Sequence, residues 1–538
     1  MLHVHNSAPA TEERGKSPGP PVLKHLARFR PKQTSVCDET KPICQRCTKA
    51  KRICIDSSIV KQASFAIHVE NSFASGRAKR PRGPRSNIAT LSPHFDLQAR
   101  AVAYYLQYHS QALQDVPNLT RGLSECITIW KASGKLCPMV DLAIASLALV
   151  IFSRTQQHPP ALTEASSNYY RLLGVAQHRI AQLSFPTLDE PNIESCLLAA
   201  SLMSRYEGAT LSPDKAHPTD IFTSDARWSH YDGVKAILKV WRDNFTQNAP
   251  NFIIKQTRRE LLRTSLVRNL PLPDWMQDGS LFGEQDLEPE YDRIMVRVVN
   301  LHYAVMILQR QNSQLFSEAE HLDTEAQMLD KLLQAWSTNI PGACIYKQHV
   351  IPDLNPRPQR YFYSQTVYSF PKPGFASAWC QYFAVCLVIN SVRCKIIELR
   401  RLDPAIGLCH KQLQDECTAR LESMADNLAC SIPFCLERIK VDNSSANQPS
   451  AILNLNEEVK PYLARLVSWP LLVASTVEGI STMQQRWFRQ ELSCLGRVTG
   501  DGLSECRNVM SNNAQAGAMS FQSAQTSSVR SDESCIGV

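Results

Sequence analysis

Apolar residues recur at three- and four-residue steps over long segments from Phe95 onwards, and this helical period limits the possible folds more than any other feature of the chain. One face of the first segment carries Leu97, Ala101, Tyr104, Tyr105 and Tyr108. Met139–Phe152 is apolar all round, which is typical of a helix enclosed by its neighbours. Runs of alternating β-branched residues are nearly absent, so no sheet is expected. The pattern predicts an all-α fold class, with a large multi-helix domain over residues 93–497.

Further helical segments follow along this domain, separated by turns that contain proline. They are predicted over Leu162–Leu183, Asn192–Tyr206, Trp228–Asn244, Gln256–Arg268, Glu288–Leu315, Glu318–Trp336, Ala376–Leu402, His410–Cys430 and Val459–Leu495. Residues 498–538 are rich in Ser, Gln and Asn and are predicted to form a disordered tail.

The positive charge of the chain is concentrated at its N-terminal end. Residues 1–90 contain 17 Lys and Arg against 6 Asp and Glu, a net charge of +11. The remaining 448 residues contain 41 basic and 44 acidic groups, a net charge of −3. A basic head on a nearly neutral body is typical of an arm that binds a polyanion, and a solvated disordered tail is the alternative.

The 18 cysteines and the apolar segments argue against secretion and against a membrane location. Most cysteines after residue 126 are scattered through apolar stretches, which predicts buried free thiols in a reducing compartment. Residues 1–15 lack the apolar core of a signal peptide, so none is expected. Leu142–Phe152 is about half as long as a membrane span and is interpreted as a buried helix.

Four cysteines stand close together near the N-terminus, in the pattern Cys-x6-Cys-x2-Cys-x6-Cys. They are Cys37, Cys44, Cys47 and Cys54. Four thiolates can hold one zinc ion in a tetrahedral site, with sulfurs about 2.3 Å from the metal. The surrounding residues include too few large apolar side chains to form a core. The spacing therefore predicts a zinc site rather than four unrelated thiols in a loop.

Basic residues surround the four cysteines and are expected to offset the thiolate charge and to contact DNA phosphates. They are Lys41, Arg46, Lys49, Lys51 and Arg52. Pro42 is suited to the turn before a short helix that would begin near Cys44.

Residues 37–54 resemble the second part of the fungal zinc binuclear cluster, the Zn2Cys6 family, whose pattern is Cys-x2-Cys-x6-Cys, a loop, and the same pattern again. Cys37 corresponds to the third cysteine of the family, and Cys44, Cys47 and Cys54 correspond to its fourth to sixth. The resemblance implies a DNA-binding module followed by a basic linker and a helical regulatory domain. Residues 230–238 are weakly similar to that regulatory domain.

The chain departs from the family at the first two cysteines, whose places are taken by Ala27 and Arg30. Four thiolates cannot hold the two metal ions of the family, so at most one zinc is expected. The stretch that corresponds to the base-reading helix begins at Pro31 and ends in Ser35-Val36 where the family has a basic pair, so no base-contacting residue is assigned. Two explanations remain open: a wrongly placed exon boundary before Cys37, or a real loss of half the module.

The predicted organisation therefore has five parts. Residues 1–35 form a disordered N-terminus, 36–56 a partial zinc cluster, 57–92 a disordered basic linker, 93–497 the helical domain and 498–538 the tail. Within the linker, Lys79, Arg80 and Arg82 fit a short nuclear-import signal or non-specific phosphate contacts, and a plain soluble linker is the alternative.

No motif for catalysis was recognised: the chain lacks a Gly-rich phosphate loop, His-Glu-x-x-His and Gly-x-Ser-x-Gly. The sequence thus predicts a nuclear, zinc-dependent, sequence-specific regulator of RNA polymerase II genes that binds double-stranded DNA and is not an enzyme; the polymerase is implied by the resemblance alone. Its helical body is expected to sense a small-molecule effector or to bind transcription machinery or regulatory proteins. The alternatives are an interaction factor that has lost specific DNA binding and, third, a helical enzyme.

Overall fold

A computed structural model describes residues 96–111, 122–181, 189–211, 225–285, 288–311, 316–340, 344–351, 360–401, 409–442 and 450–505 of the 538-residue chain. All of these belong to one compact unit, residues 92–538. Helix accounts for 78% of the described part. The predicted all-α class is therefore confirmed for the body, whereas the zinc-cluster segment and the linker lie outside the described residues.

Thirteen helices of ten or more residues form the described body. They are α1 (Leu97–Tyr108), α2 (Leu123–Ala132), α3 (Pro138–Thr155), α4 (Pro159–Ala181), α5 (Glu190–Thr210), α6 (Asp225–Phe245), α7 (Phe252–Arg268), α8 (Glu288–Gln311), α9 (Phe316–Thr338), α10 (Pro373–Leu399), α11 (His410–Cys435), α12 (Pro461–Thr476) and α13 (Thr482–Thr499). Two short 3-10 turns, Asp274–Met276 and Gly279–Phe282, connect α7 to α8.

Two apolar helices organise the packing of the body. Helix α3 contacts α1, α4 and α5, and α10 contacts α8, α9, α11 and α12. Pro138 occupies the first turn of α3, where its missing N–H costs nothing, and Asp141 and Arg154 place charges of favourable sign at the two helix ends. The two groups meet through α7, which contacts α5 and α8, and through α13, which contacts α3.

Helices α3 and α10 are both long and apolar enough to cross a membrane by length and composition. Their most apolar windows are 67% and 94% buried inside the body, as expected for core helices. The buried helix predicted from Leu142–Phe152 is therefore confirmed. The cysteines of the described part are free and mostly buried, which agrees with the predicted thiols.

The body also contains two small antiparallel hairpins that the sequence did not predict. Strands β1 (Lys347–Val350) and β2 (Thr366–Ser369) pair with Lys347 opposite Ser369, and β3 (Ile439–Asp442) and β4 (Ser450–Leu453) pair with Ile439 opposite Leu453. Each strand has four residues, too few for an alternating pattern to stand out. The prediction that the body contains no sheet is therefore wrong for these two hairpins.

The single helix predicted over Val459–Leu495 is two helices, α12 and α13. Gly479 between them has φ +97°, a left-handed conformation that a side chain disfavours, and Ser481 then accepts a hydrogen bond from the backbone N–H of Gln484 to begin α13. Helix α12 also tolerates an internal proline, Pro470. This residue cannot donate to Leu466 O, which instead accepts a hydrogen bond from Ser377 Oγ of α10 at 3.1 Å.

The C-terminal end of the body lies beyond the predicted boundary at residue 497. Helix α13 continues to Thr499 and ends at Gly500, which has φ +71°, and residues 502–505 form another helical turn. Glu505 forms an ion pair with Arg154 of α3 at 2.5 Å. Residues 498–505 are therefore part of the body, and the rest of the predicted tail lies outside the described residues.

Candidate ligand-binding cavity

A cavity of about 310 Å³ lies where the two helix groups meet. Its lining comes from the segment after α1, from α2, α3, α5, α6, α7, α10 and α12, and from the end of α13 with the segment that follows it. Pockets of this size are at the lower end of those that enclose small organic ligands. The cavity is the candidate functional site within the described residues.

His109, which follows α1, lines the cavity as a buried polar residue without a partner. Its side chain has no solvent-exposed surface, and neither ring nitrogen forms a hydrogen bond. The ring stacks on Tyr105 at 5.5 Å between centroids, with 6° between the planes. Burial, followed by the positive charge of Arg465, lowers the pKa of His109 to about 2. The ring is therefore neutral at physiological pH, with one N–H and one lone pair unused.

Arg465 reaches the same wall from α12. Its Nη1 donates to Ser124 Oγ at 2.7 Å and to Tyr105 Oη at 3.3 Å, and its guanidinium lies 5.6 Å from the centre of the Tyr105 ring. These partners hold the side chain in place, but all of them are neutral. No carboxylate in the described part of the chain pairs with Arg465.

Two further arginines line the cavity, and they differ in their partners. Arg263 of α7 contacts Glu260 Oε1 at 3.5 Å and Gln381 Oε1 at 3.2 Å. Arg205 of α5 is half-buried and forms no ion pair with any residue that the structure describes. Arg205 and Arg465 therefore leave two positive charges in the cavity without a carboxylate partner.

The carboxylates of the lining are already bound by donors of the chain. Glu125 accepts a hydrogen bond from the backbone N–H of Gly122 at the start of α2. Asp501 accepts from the backbone N–H of Leu503 at 3.1 Å and from Ser504 Oγ at 2.6 Å. These acceptors have less capacity left for a ligand than the arginine donors have.

The rest of the wall is apolar and aromatic. Leu147, Ile151 and Leu472 contribute aliphatic surface. Trp469 adds an indole ring that lies 5.6 Å from the Arg263 guanidinium, and its buried Nε1–H has no hydrogen-bond partner. The arrangement combines cationic and N–H donors with an apolar surface, so it can bind a molecule that has an anionic end and a hydrocarbon body.

A second group of buried charges lies between α7 and α8 and is fully paired. This α7–α8 ion network consists of Lys255, Arg258, Arg259, Glu284, Glu288 and Asp292. Arg258 binds Asp292 with both terminal nitrogens, at 2.5 and 2.9 Å, and Arg259 binds both Glu284 and Glu288. Because each charge has a partner, we interpret the network as a structural link between α7 and α8.

A smaller polar cluster joins α4, α5 and α6. Tyr169 Oη donates to Glu207 Oε1 at 2.7 Å and lies 2.8 Å from His230 Nε2, which is 2.9 Å from the same carboxylate oxygen. Burial, followed by the hydrogen bond with Glu207, raises the pKa of Tyr169. A tyrosine that holds its proton this firmly is a poor nucleophile, so the cluster is interpreted as a link between helices.

The structure gives no position for the residues that the sequence singled out. All of them, the zinc-ligand candidates, the phosphate-contact candidates and the import signal, lie outside the described residues. They are Cys37, Cys44, Cys47, Cys54, Lys41, Arg46, Lys49, Lys51, Arg52, Lys79, Arg80 and Arg82. Within the described ranges, no group of three or more His, Cys, Asp or Glu side chains is placed to hold a metal ion.

The cavity residues gave only a weak signal in the sequence. Arg465 is the one charged residue in the mostly apolar helix α12, and a lone cation in such a helix can mark a functional position. His109 follows the tyrosine-rich end of α1 but stands in no recognisable spacing. These two residues are 356 positions apart, so their proximity could not be read from a local pattern.

Comparison of the chain with models of known protein families, with curated proteins and with solved structures gave no match. The functional argument therefore depends on the residues themselves. Two parts of the chain carry it: the cysteine segment at residues 37–54 and the cavity in the helical body.

Proposed function

We propose that the protein is a nuclear, zinc-dependent regulator that binds specific DNA sequences at genes transcribed by RNA polymerase II, and that it is not an enzyme. The observation that carries the proposal is the spacing of Cys37, Cys44, Cys47 and Cys54 within a basic segment. Four thiolates at this spacing suit one tetrahedral zinc, and the metal would supply most of the folding free energy of so small a segment.

The distribution of charge supports the same function. Lys41, Arg46, Lys49, Lys51 and Arg52 surround the proposed site and would contact DNA phosphates. The nearly neutral helical body would then bind regulatory proteins or transcription machinery, or respond to an effector. The basic segment would thus bind DNA, and the helical body would transmit the regulatory signal.

Metal analysis of the full-length protein tests the zinc site. We expect one zinc per chain, lost in the double variant Cys44→Ser/Cys47→Ser. Cys409→Ser is the matched control, because Cys409 is an exposed thiol of the helical body and should leave the zinc content unchanged. Wild-type protein that is purified without zinc and cannot be reloaded would refute the zinc site.

A gel-shift series in rising salt tests DNA binding. A specific regulator should keep its preference for a selected duplex over a scrambled one as salt rises. Binding through phosphate contacts alone should instead weaken equally for both duplexes. The Cys44→Ser/Cys47→Ser variant should lose the preference. Binding without any preference at any salt concentration would contradict sequence-specific regulation.

The second candidate is a regulatory interaction factor that has lost specific DNA binding. Ala27 and Arg30, at the places of the first two cluster cysteines, favour it, because the family module needs six thiolates. A catalytic role for the cavity is less favoured. His109, with a pKa lowered to about 2, would be a poor general base near neutral pH.

A further inference from the structure

We propose that the cavity of the helical body binds an organic monocarboxylate, with Arg205 and Arg465 receiving the carboxylate and the apolar wall enclosing the hydrocarbon part. Binding as such does not depend on the DNA-binding function. Only the further step, in which the bound acid acts as an effector of the regulator, rests on the function proposed above.

The positive charges identify the ligand as an anion. A partly buried guanidinium without a carboxylate partner is costly, and an anionic ligand that forms paired N–H···O bonds offsets the cost. Arg205 has no ion-pair partner among the described residues, and Arg465 is held by the hydroxyl groups of Tyr105 and Ser124. Both side chains therefore have donors to offer.

The unpartnered nitrogens of the wall are an independent second observation. Buried polar groups in folded proteins usually have a partner, and two of the residues of the body that lack one line the same cavity. The ring nitrogens of His109 and the Nε1–H of Trp469 are both unpartnered and both residues line the space. A polar ligand in the cavity can supply the missing partners.

The pairing of the charges, rather than their sum, favours one negative charge on the ligand. The lining contains three arginines and three carboxylates, but among the described residues only Arg263 of these arginines has a carboxylate partner. A monocarboxylate adds a single charge beside the two uncompensated guanidinium groups. A phosphate monoester would add almost two negative charges and would be repelled by the nearby carboxylates of Glu260 and Asp501.

The apolar wall and the volume indicate an organic body. Leu147, Ile151, Leu472 and the Trp469 ring would contact hydrocarbon or an aromatic ring. About 310 Å³ suits a molecule of small-metabolite size, and burial of its apolar surface would favour binding.

Binding can be tested on the full-length protein with four acids: phenylacetate, 4-phenylbutyrate, indole-3-acetate and octanoate. Each is paired with its primary amide, which has the same shape without the charge. We expect at least one acid to raise the melting temperature and to give a calorimetric isotherm, with its amide bound at least about tenfold more weakly. The proposal is overturned if none of the acids binds at millimolar concentration, or if acid and amide bind alike.

Variants assign the binding to this cavity. Arg205→Met and Arg465→Met should each weaken acid binding at least about tenfold, because each removes a charge-assisted contact. Arg401→Met is the matched control, since Arg401 is exposed and lies outside the cavity. Arg205 has no ion pair to lose, so its variant stays informative even if Arg465→Met folds poorly. Acid affinity that is unchanged in Arg205→Met would overturn the assignment.

Two further measurements separate this proposal from its alternatives. Inorganic phosphate that binds as tightly as the best acid, and competes with it, would show a simple anion site and refute the organic monocarboxylate. The Cys44→Ser/Cys47→Ser variant should bind the acid like the wild-type protein. Wild-type protein that binds the acid but neither zinc nor a preferred DNA sequence would refute the proposed function alone. Wild-type protein that binds zinc and DNA but none of the acids would refute the cavity proposal alone.

Discussion

The α7–α8 ion network and the cavity both place arginines inside the body, but they differ in how the charges are satisfied. Arg258 has no exposed surface and is bound by Asp292 and by the backbone carbonyls of Met276 and Gln277. Arg205 and Arg465 of the cavity have no carboxylate partner among the described residues. A buried charge that has its partners stabilises the packing of two helices. A charge that lacks partners is available to a ligand.

The comparison predicts opposite responses to the loss of an arginine. Removing one from the network leaves a buried carboxylate without its partner, and the folded state bears that cost. Removing Arg205 or Arg465 from the cavity leaves no described carboxylate without its partner. The loss should therefore appear as weaker ligand binding rather than as lower stability. Four substitutions test this difference between paired and unpaired polar groups.

Arg258→Met should lower the free energy of unfolding by about 3–5 kcal/mol, because it leaves Asp292 buried without its bidentate partner. Chemical denaturation of the full-length protein measures the change. In the double variant Arg258→Met/Asp292→Leu the unpaired carboxylate is gone as well, and part of the stability should return. A single variant as stable as the wild-type protein would contradict the structural role of the network.

His109→Phe should flatten the loss of stability in acid. The folded pKa of His109 is lowered to about 2 by burial and by Arg465, whereas the unfolded residue keeps its ordinary value of 6.5. Below pH 6.5 the unfolded chain therefore binds a proton that the folded chain does not, and stability falls by about 1.4 kcal/mol per pH unit. The variant lacks this contribution.

Denaturation midpoints between pH 7 and pH 4.5 measure the effect as the difference between the two proteins, since other groups titrate equally in both. At pH 7 the variant should be as stable as the wild-type protein or slightly more so, because it removes ring nitrogens that have no partner. Parallel curves for the two proteins over the whole range would rule out a neutral, unpartnered His109.

The sequence predicted those parts of the body that depend on local pattern. Helix α4 follows from its apolar period, and α3 follows from the length of its apolar run. The break at Gly479 was missed because it depends on a left-handed residue packed against Leu421, a tertiary contact. Helix α2 was missed because it has only ten residues.

The cavity could not be predicted, because it depends on which distant helices meet. Its two uncompensated arginines lie on α5 and α12, and nothing in a single sequence places Arg465 beside Tyr105. The predicted zinc site is the reverse case. Its four candidate ligands are close in sequence, so their spacing alone predicts the site, and residues 37–54 all lie outside the described residues.

Gly279→Ala tests the network through its backbone and should cost about 1–3 kcal/mol. A Cβ atom at position 279 would collide with Asp292 Oδ2 and with Cγ of Glu284, so the methyl group would displace the carboxylate that Arg258 binds. Gly233→Ala is the control: it lies in α6, where an added Cβ meets no atom within 4 Å, and alanine should favour the helix. Equal stability changes for the two substitutions would contradict the close packing of the network.

Arg205→Met should change the free energy of unfolding of the ligand-free protein by no more than about 0.5 kcal/mol, the smallest effect of the four. The reason is that Arg205 has no ion-pair partner among the described residues, whereas Arg258 has several. The measurement is the same chemical denaturation, carried out on dialysed protein so that no bound acid contributes to stability. A loss as large as that of Arg258→Met would show that Arg205 supports the fold, and the division between paired structural charges and unpaired ligand-binding charges would then fail.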